Sequence, residues 1–409
     1  MRPALLLGLF LLAGCANAPQ TPASTPLPTP TSAPIPPTST AVVPIELILW
    51  VAPAFAPNPE TPAGMVLLER LETFQNENPD IRVIVRTKAE RGPGGVMESL
   101  SAASRAAPAT LPHLVTLDPE ALGTMALTGL LSPLPELGNP SDNYAFAEDT
   151  SRVDGIRYGQ PFASEMETFA SEIAAFEAVP LNWTDLIVEA NRFIIPAADP
   201  EAAFLIAQYL SLGGEFSGDT GLDENILAEA LDFLATASES GNLSPASLDL
   251  STSGETWLAL QEQRSEAAQA PYGAFFASHA SGMHALGPLP TRNGLGIALA
   301  APWSWAVANP EHKELSADLI EWLAEPAFLA KWSQALGLLP TQPKVLGQWT
   351  DGSEAATASR LVSVAVAKPQ GSLLKAIGPP LAEAVQAVMT GRLDAEAAAA
   401  QAVSDIDGS

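Results

Sequence analysis

Cysteine and basic residues are scarce in this sequence, and each scarcity excludes a class of protein. The 409 residues include one cysteine, Cys15, so the chain can form no internal disulfide and no zinc or iron–sulfur site built from cysteines. Lysine and arginine number 19 against 46 aspartate and glutamate residues, which gives a formal net charge of −27. A chain this acidic repels phosphate groups, so we expect no nucleic-acid partner and no basic patch that holds it to a membrane.

Motifs that mark catalysis or metal binding are missing as well. The four histidines lack a His-Glu-x-x-His spacing, and no Gly-x-Ser-x-Gly elbow is present. The glycine-rich run 92–95 lacks the Lys-Ser/Thr of a phosphate-binding loop and indicates a flexible turn. Glu165 and Glu167 could act as a glycosidase pair, but nothing else in the chain supports that function. We therefore predict a protein that is not an enzyme and that has no metal and no cofactor.

The residues that are abundant suit a large folded body. Hydrophobic residues make up 47% of the chain and charged residues 16%, which leaves enough apolar side chains for extensive cores. A chain of 409 residues is too long for one ordinary core, so we expect two or three domains. After the N-terminal stretch no run is long and apolar enough to cross a bilayer, so we expect the body to be soluble.

The N-terminal 43 residues have the pattern of a lipoprotein signal peptide followed by a tether. Residues 1–14 carry one positive charge and a short leucine-rich core, as signal peptides do. They lead into the string Leu-Ala-Gly-Cys, which is similar to a bacterial lipobox, so we expect Cys15 to carry the lipid anchor. An ordinary signal peptide with an incidental cysteine is the alternative. Residues 15–43 are rich in Pro, Thr, Ser and Ala and predict an extended tether.

The first part of the folded body alternates strands and helices. The predicted elements, in order, are strand 45–51, helix 65–78, strand 81–86, helix 97–106, strand 113–117 and helix 119–128. This alternation predicts a parallel sheet covered by helices on both faces. Ligands of such sheets bind beyond the carboxyl ends of the strands, which here are the loops 52–58 and 118–121.

The second part of the body is predicted to be mainly helical. The predicted helices are 184–192, 200–212, 223–240, 254–263, 312–324, 326–336, 355–365 and 373–390, with the alanine-rich tail 394–403 continuing the last. A strand-like run at 296–300 leads into the segment that contains Trp303 and Trp305. The chain shows no internal repeat.

Six sequence pieces occur in an order that resembles the extracellular solute-binding proteins of ABC importers, specifically the maltose-binding-protein-like carbohydrate group. The pieces are Ile45–Trp50 with Phe74–Pro79, Leu111–Val115, Gly129–Leu134, Asp154–Phe162, Asn182–Leu186 and Asn309–Pro340. Together they cover about residues 44–390. The chain departs from the family pattern at His113, which replaces an aspartate, and at 263–268, which replace a "G-k-a-A-M" string.

The resemblance implies an α/β fold of the periplasmic-binding-protein type, with two lobes, a hinge and an interlobe ligand cleft. Lobe one is expected at residues 44–157 plus 296–340, and lobe two at residues 158–295 plus 341–409. The ligand would shift an equilibrium between open and closed lobes, because only the closed state contacts it from both sides.

The implied function is that of a lipid-anchored receptor outside the cytoplasm, on the cell surface or in the periplasm. It would be a monomer that captures a small solute, a carbohydrate in the first instance, and delivers it to the transmembrane permease subunits of an ABC importer. One alternative is a surface adaptor or sensor with the same fold that does not transport. Another is a binder of a non-sugar solute such as a polyol or a polyamine.

Three predicted ligand contacts follow from the resemblance in the second half of the cleft. Glu165 occupies a position at which the maltose-binding branch has a sugar-contacting carboxylate, and Glu167 points the same way if the segment is extended. We expect Trp303 and Trp305 to face opposite ways, one towards the core and one towards the cleft, and we favour Trp303 for stacking on a sugar ring. Tyr272 follows a family strand after which an aromatic residue often stacks, with core packing as the alternative.

Three further residues are predicted at the carboxyl ends of the early strands. Asp118 and Glu120 lie where family members often place a hydroxyl-binding acid. The alternative is the cap and first turn of the next helix, which is the stronger explanation for Glu120 because Pro119 suits a first helical position. Phe55, in the loop after the first strand, is a weaker stacking residue. Few lysines or arginines lie near the predicted cleft, which disfavours a strongly anionic ligand.

Overall fold

The structure of the protein is a computed structural model. It describes residues 44–135, 137, 142–187, 191–216, 221–278, 282–350 and 352–408. The predicted signal peptide, Cys15 and the tether lie outside the described residues.

The strands are β1 (Ile45–Val51), β2 (Ile81–Thr87), β3 (Leu114–Leu117), β4 (Arg152–Val153), β5 (Ile156–Arg157), β6 (Gly159–Glu172), β7 (Phe193–Ile194), β8 (Ala267–Pro271), β9 (His284–Gly287), β10 (Ala298–Val307), β11 (Leu339–Pro340) and β12 (Ala365–Ala367). The helices are α1 (Pro62–Glu77), α2 (Val96–Ala106), α3 (Pro119–Leu127), α4 (Ala145–Thr150), α5 (Trp183–Leu186), α6 (Ala203–Ser211), α7 (Glu224–Glu239), α8 (Ser253–Gln261), α9 (Tyr272–Ala277), α10 (Lys313–Leu323), α11 (Pro326–Leu336), α12 (Pro343–Leu346), α13 (Gly352–Ser363), α14 (Gly371–Met389) and α15 (Ala395–Asp407).

One large mixed sheet connects most of these strands, in the order β2-β1-β3-β10-β6-β8-β7. β1 is parallel to both β2 and β3, which confirms the parallel arrangement predicted for the first part of the body. β10 runs antiparallel to β3 and to β6, so the sheet as a whole is mixed. Helices cover the apolar faces of the sheet, as its burial requires.

β6 and β10 are long because each belongs to both halves of the sheet, and we call them the crossing strands. The segment 304–307 of β10 pairs with β3, whereas its start, at 298–300, pairs with β12. The end of β6, at 167–171, pairs with β8. Between the crossing strands the register shifts once, between Trp303 and Ser304, which marks a β-bulge.

The hydrophobic core is continuous across the predicted lobe boundary. Leu47 and Leu67, from the first half of the body, belong to the same buried cluster as Trp257 and Phe275 from the second half. A second cluster lies entirely in the later part of the chain, around helices α6, α7, α14 and α15. The lobe limits at 44–157 plus 296–340 and 158–295 plus 341–409 stay a prediction.

Element boundaries match the sequence pattern best where both helix ends are capped. α11 has the predicted bounds, because Glu325 accepts hydrogen bonds from the backbone N–H groups of Ala327 and Phe328, and Gly337 ends the helix with a φ of 66°.

Two helix predictions were wrong in extent. The helix predicted at 184–192 is the short α5, whose capping box uses Asn182 and Asp185; residues 188–190 lie outside the described residues. The tail at 394–403 does not continue α14. It begins a separate helix, α15, because Gly391 turns the chain with a φ of 66° and Asp394 caps the new helix through the Ala397 N–H.

Within the described ranges, no helix combines the length and the apolar character that crossing a membrane would require.

Candidate functional site

The crossing strands have four accessible positions in their interiors, and these form one patch. Glu165 and Glu167 of β6, and Ala301 and Trp303 of β10, are partly exposed, whereas the other interior residues of both strands are buried. Alternate residues of a strand share a face, and Glu165 pairs directly with Ala301, so the four side chains lie on one face of the sheet. We call this patch, at the middle of the crossing strands, the cleft floor.

Glu165 is held in place by backbone donors. The N–H of Met166 donates to Oε1 of Glu165 at 2.9 Å, and the N–H of Gly273 donates to the same oxygen at 3.1 Å. A Cβ on Gly273 would lie 2.9 Å from Oε2 of Glu165 and 3.1 Å from the carbonyl oxygen of Gly337, so glycine permits this close approach. Burial raises the pKa of Glu165 to about 7, despite the backbone donors that favour the charged form.

Glu167 is held by neutral side chains. The hydroxyl of Ser253 donates to Oε1 at 2.9 Å, and the side-chain amide of Gln269 donates to Oε2 at 2.8 Å. Burial raises the pKa of Glu167, while the two hydrogen bonds and the more distant charge of Lys368 act in the opposite direction. Both floor carboxylates therefore lie in surroundings that penalise negative charge.

Charged residues from several loops form a wall next to the floor, around a cleft with about 360 Å³ of empty space, part of it open to solvent. Ala301 belongs to both the floor and this cleft. The charged wall consists of Arg91, Asp118, Glu120, Glu201, Lys368 and Lys375; Pro119, Ala300, Pro369, Gln370 and Leu374 complete the lining.

Asp118 and Glu120 lie at the carboxyl end of β3, where the sequence predicts ligand contacts. Asp118 caps α3, because its Oδ1 accepts from the Ala121 N–H at 2.7 Å, and burial raises its pKa. Glu120 lies in the first turn of α3. Both side chains line the cleft, so the capping role and a ligand contact are compatible for Asp118.

Ion pairs link the two sides of the wall. Arg91, from the loop after β2, lies 3.7 Å from Asp118, 3.4 Å from Glu120 and 4.0 Å from Glu201, a residue that follows β7 in the second half of the sheet. Lys375 of α14 lies 3.0 Å from Glu120.

Lys368, which follows β12, pairs with Glu201. The expectation of few basic residues near the cleft therefore needs correction, because Arg91, Lys368 and Lys375 all reach the charged wall. All three lie in separate segments of the chain, and the hydrophobic periodicity of the sequence does not show which segments meet in space.

The structure separates the predicted aromatic contacts into two groups. Trp303 is partly exposed on the floor, and its ring packs edge-on against Phe55 with 4.9 Å between centroids. Phe55 is 1% exposed and Tyr272 is fully buried, so the structure gives both a core role at the back of the site. Trp305 is fully buried and packs against Phe162, which contacts Phe55, so both tryptophans of β10 border one aromatic cluster. The expectation that they face opposite ways was wrong, because residues two apart in a strand share a face.

Sequence reasoning missed the wall residues outside the early strands: Arg91, Glu201, Lys368 and Lys375. Arg91 directly precedes the glycine-rich run 92–95, whose turn places it beside α3. Lys368 is positioned by its backbone N–H, which donates to the Ala300 carbonyl at 3.0 Å and so continues the β12–β10 pairing. No local sequence signal shows that Arg91 lies beside α3 or that Lys368 lies beside β10.

The sequence profile of the bacterial extracellular solute-binding protein family matches residues 69–357, more than half of the chain. The chain belongs to this family. The resemblance inferred from its sequence pieces is therefore confirmed, and this solute-binding protein lies in a family of binding proteins that act outside the cytoplasm. No curated protein matches its sequence.

Solved structures show the fold of this solute-binding protein. A cyclo/maltodextrin-binding protein in complex with maltotetraose is 18% identical, with a TM-score of 0.74 over 89% of this chain and 97% of that chain. The sugar-binding protein MalE from Xanthomonas citri is 20% identical, with a TM-score of 0.72 over 89% and 96%. Maltose-binding MalE from Listeria monocytogenes, in complex with maltose, is 16% identical, with a TM-score of 0.71 over 89% and 97%. The predicted two-lobe α/β fold is thus confirmed.

The described part of this solute-binding protein contains no group of three or more His, Cys, Asp or Glu residues arranged to hold a metal ion. The described lining of the cleft carries carboxylates, cations and the Gln370 amide, and the adjacent floor carries the partly exposed Trp303.

Proposed function

We propose that this protein captures a small polyhydroxylated solute, a carbohydrate in the first instance, in the cleft between its lobes and delivers it to an ABC importer. One observation carries the proposal: the accessible positions of the crossing strands bring Glu165, Glu167 and Trp303 together at the middle of the sheet, beside a charged wall. Carboxylates pair with sugar hydroxyls, and a flat aromatic ring packs on the C–H-rich face of a sugar.

The wall supports a closing motion of the two lobes around the solute. Arg91, Asp118 and Glu120 follow strands of the first half of the sheet, whereas Glu201 follows a strand of the second half. The Arg91–Glu201 and Lys375–Glu120 contacts join the two sides. A solute that touches both sides would bind the closed state better and shift the equilibrium towards it.

Three further parts of the proposal rest on the sequence. Cys15 carries the lipid anchor, residues 15–43 form the tether, and the chain works as a monomer that presents its closed form to the permease subunits. The lipobox-like string and the Pro/Thr/Ser-rich segment support the anchor and the tether. We expect Cys15→Ala to move the chain from the membrane fraction to the soluble extracytoplasmic fraction without changing its melting temperature. A variant still found in the membrane would reject the lipid anchor.

Solute binding is tested by thermal unfolding of the full chain in detergent, followed by tryptophan fluorescence, against mono-, di- and oligosaccharides, polyols, polyamines and amino acids. A ligand at a hundred times its dissociation constant adds about 2.7 kcal/mol of stability, which raises the melting temperature by several degrees. We expect a sugar to give this rise, and Glu165→Ala or Trp303→Ala to reduce it.

Glu383→Ala is the matched control, because Glu383 pairs with Arg392 on the exposed surface of α14. It should leave the ligand-induced rise unchanged. A cooperative melt that no solute shifts would reject the proposed function and favour the non-transporting adaptor. Loss of the rise in the Glu383→Ala control would show that the effects of the site variants are not specific.

A further inference from the structure

In the described residues, neither carboxylate of the cleft floor forms an ion pair, although the more distant charge of Lys368 acts on Glu167. In the part of the chain that the structure describes, no Lys or Arg nitrogen lies within 4 Å of a carboxylate oxygen of Glu165 or Glu167. Their hydrogen bonds come from neutral groups, namely backbone N–H groups for Glu165 and the Ser253 hydroxyl and Gln269 amide for Glu167. Deep carboxylates without a counter-charge are costly, so the floor is short of positive charge.

The neighbouring cations are already engaged by other carboxylates. Arg91 lies between Asp118, Glu120 and Glu201, at 3.4–4.0 Å from each. Lys368 pairs with Glu201, and Lys375 pairs with Glu120 at 3.0 Å. Within the described ranges these cations are therefore shared with wall carboxylates, and Lys368 also acts on Glu167 from a distance. A cationic group on the solute would therefore be the counter-charge that Glu165 lacks.

Trp303 adds a second, independent feature that suits a cation. Its ring is the partly exposed aromatic group of the floor, on the same face of the sheet as Glu165 and next to Ala301. The face of a tryptophan ring attracts an ammonium group, and this attraction grows where water is excluded. A pair of carboxylates beside such a ring can bind the charged nitrogen of a solute and the carbon skeleton that bears it.

We infer that the solute carries a protonated amine, as an amino sugar does, and that its ammonium group binds at Glu165 and Glu167 beside Trp303. This inference rests on the proposed function and narrows it. It places the amine on the floor and leaves the hydroxyl groups for Asp118, Glu120 and Gln370 on the wall.

The test compares three matched sugars that differ at one substituent: glucosamine, glucose and N-acetylglucosamine, each also as the β-1,4-linked dimer. Binding to the full chain in detergent is measured by calorimetry at pH 6.5. We expect the amine to bind at least about tenfold more tightly than both neutral forms, because an ion-paired hydrogen bond is stronger than a neutral one. Glu165→Gln and, separately, Glu167→Gln should remove this preference, whereas Glu383→Gln should keep it.

Proton release gives a readout that a structural role of Glu165 would not produce. Among the described titratable groups, Glu167 and Tyr272 interact with this carboxyl and Glu354 contacts Tyr272, and none of these three supplies a positive charge. An ammonium group that binds beside Glu165 stabilises its ionised form, so the complex should release a proton at pH 6.5. Calorimetry in two buffers of different ionisation enthalpy detects this release in the wild type, and the release should be lost in Glu165→Gln.

The outcomes separate the inference from the proposed function. Equal or tighter binding of glucose or N-acetylglucosamine overturns the inference and leaves the sugar receptor intact. Tight binding of the amine without proton release also overturns it, because the ammonium group then lies elsewhere. If no amine and no neutral sugar binds while the protein melts cooperatively, both the inference and the carbohydrate assignment fail.

Discussion

On the floor of the cleft, Glu165 and Glu167 accept hydrogen bonds from neutral groups, whereas on the wall Glu120 and Glu201 face cations. The difference follows from burial. The wall cations Arg91 and Lys375 are exposed on 67% and 65% of their side chains, so their pairs are screened by salt, whereas Lys368, the partner of Glu201, is exposed on only 20%. The floor is drier, so its carboxylates respond to protons and to a ligand charge more than to salt.

The largest expected effect is a loss of stability as the pH rises across the floor's titration range. The folded-state pKa of Glu165, about 7, lies above its ordinary value of 4.5, so the folded protein binds this proton more tightly than the unfolded chain does. The free energy of unfolding should therefore be highest below pH 4.5 and fall as the pH rises towards 7. We expect a fall on the order of 1–3 kcal/mol from this group.

Urea unfolding of the ligand-free full chain at pH 4.5, 6 and 7.5 measures this fall. Glu165→Gln should reduce the slope of stability against pH, and Glu383→Gln should leave this slope unchanged. The buried carboxyls of Glu167 and Asp118 have pKa values raised in the same direction, so part of the slope should remain in Glu165→Gln. A free energy of unfolding that rises between pH 5 and 7 in the wild type would contradict a raised pKa of the buried floor carboxyls.

Gly273→Ala should have the next largest effect, because it displaces the side chain of Glu165 without removing a charged group. The new methyl group would lie 2.9 Å from Glu165 Oε2 and 3.1 Å from the Gly337 carbonyl oxygen, so Glu165 has to move. We expect a loss of about 1–3 kcal/mol in stability, together with weaker solute binding.

Gly254→Ala in α8 is the matched control, since its Cβ would meet only the Thr252 hydroxyl oxygen, at 3.8 Å. Alanine in place of this helical glycine should stabilise the protein by up to about 1 kcal/mol. Denaturant midpoints and calorimetric affinities compare the two variants. Unchanged binding in Gly273→Ala would show that the position of Glu165 does not matter to the ligand.

The smallest effect is expected on the wall. Arg91→Ala removes three contacts of an exposed side chain, so we expect a change of only about 0.2–1 kcal/mol in stability, which should shrink further as salt rises from 0.05 to 0.5 M. Arg392→Ala, which breaks the exposed pair with Glu383, is the matched control. A loss of several kcal/mol in Arg91→Ala that is insensitive to salt would place the wall in the same dry environment as the floor.

The features that could be predicted from the sequence are those encoded by local patterns. β1 and α11 have their predicted bounds, because an apolar run and two capped helix ends are local signals. The prediction that Trp303 and Trp305 face opposite ways was wrong, because residues two apart in a strand share a face and both rings border the cluster of Phe55 and Phe162. The family resemblance directed attention to Glu165, whose role as a ligand contact remains a prediction.

The rest of the site depends on contacts between distant segments. Phe55 and Tyr272 were predicted to stack on the ligand, but both are buried in the core. Whether an aromatic ring faces a cleft or a core depends on the distant segments that pack on it. Arg91, Glu201 and Lys368 come from three separate loops, and only the β12–β10 pairing and the turn after β2 bring them together. No periodicity within one segment carries that information.

The β-bulge between Trp303 and Ser304 has a mechanical consequence. A bulge interrupts the ladder of hydrogen bonds and lets a strand bend and twist locally. Here Trp303 pairs with Ala163 and Ser304 with Pro161, so the extra residue is Phe162 of β6, beside the start of the β10 segment that pairs with β3. Bending there would rotate the indole of Trp303 relative to the carboxylate of Glu165 on the neighbouring strand. If the lobes turn about this bulge, the hinge and the proposed solute-binding surface share the same few residues, so solute binding would act on the hinge directly.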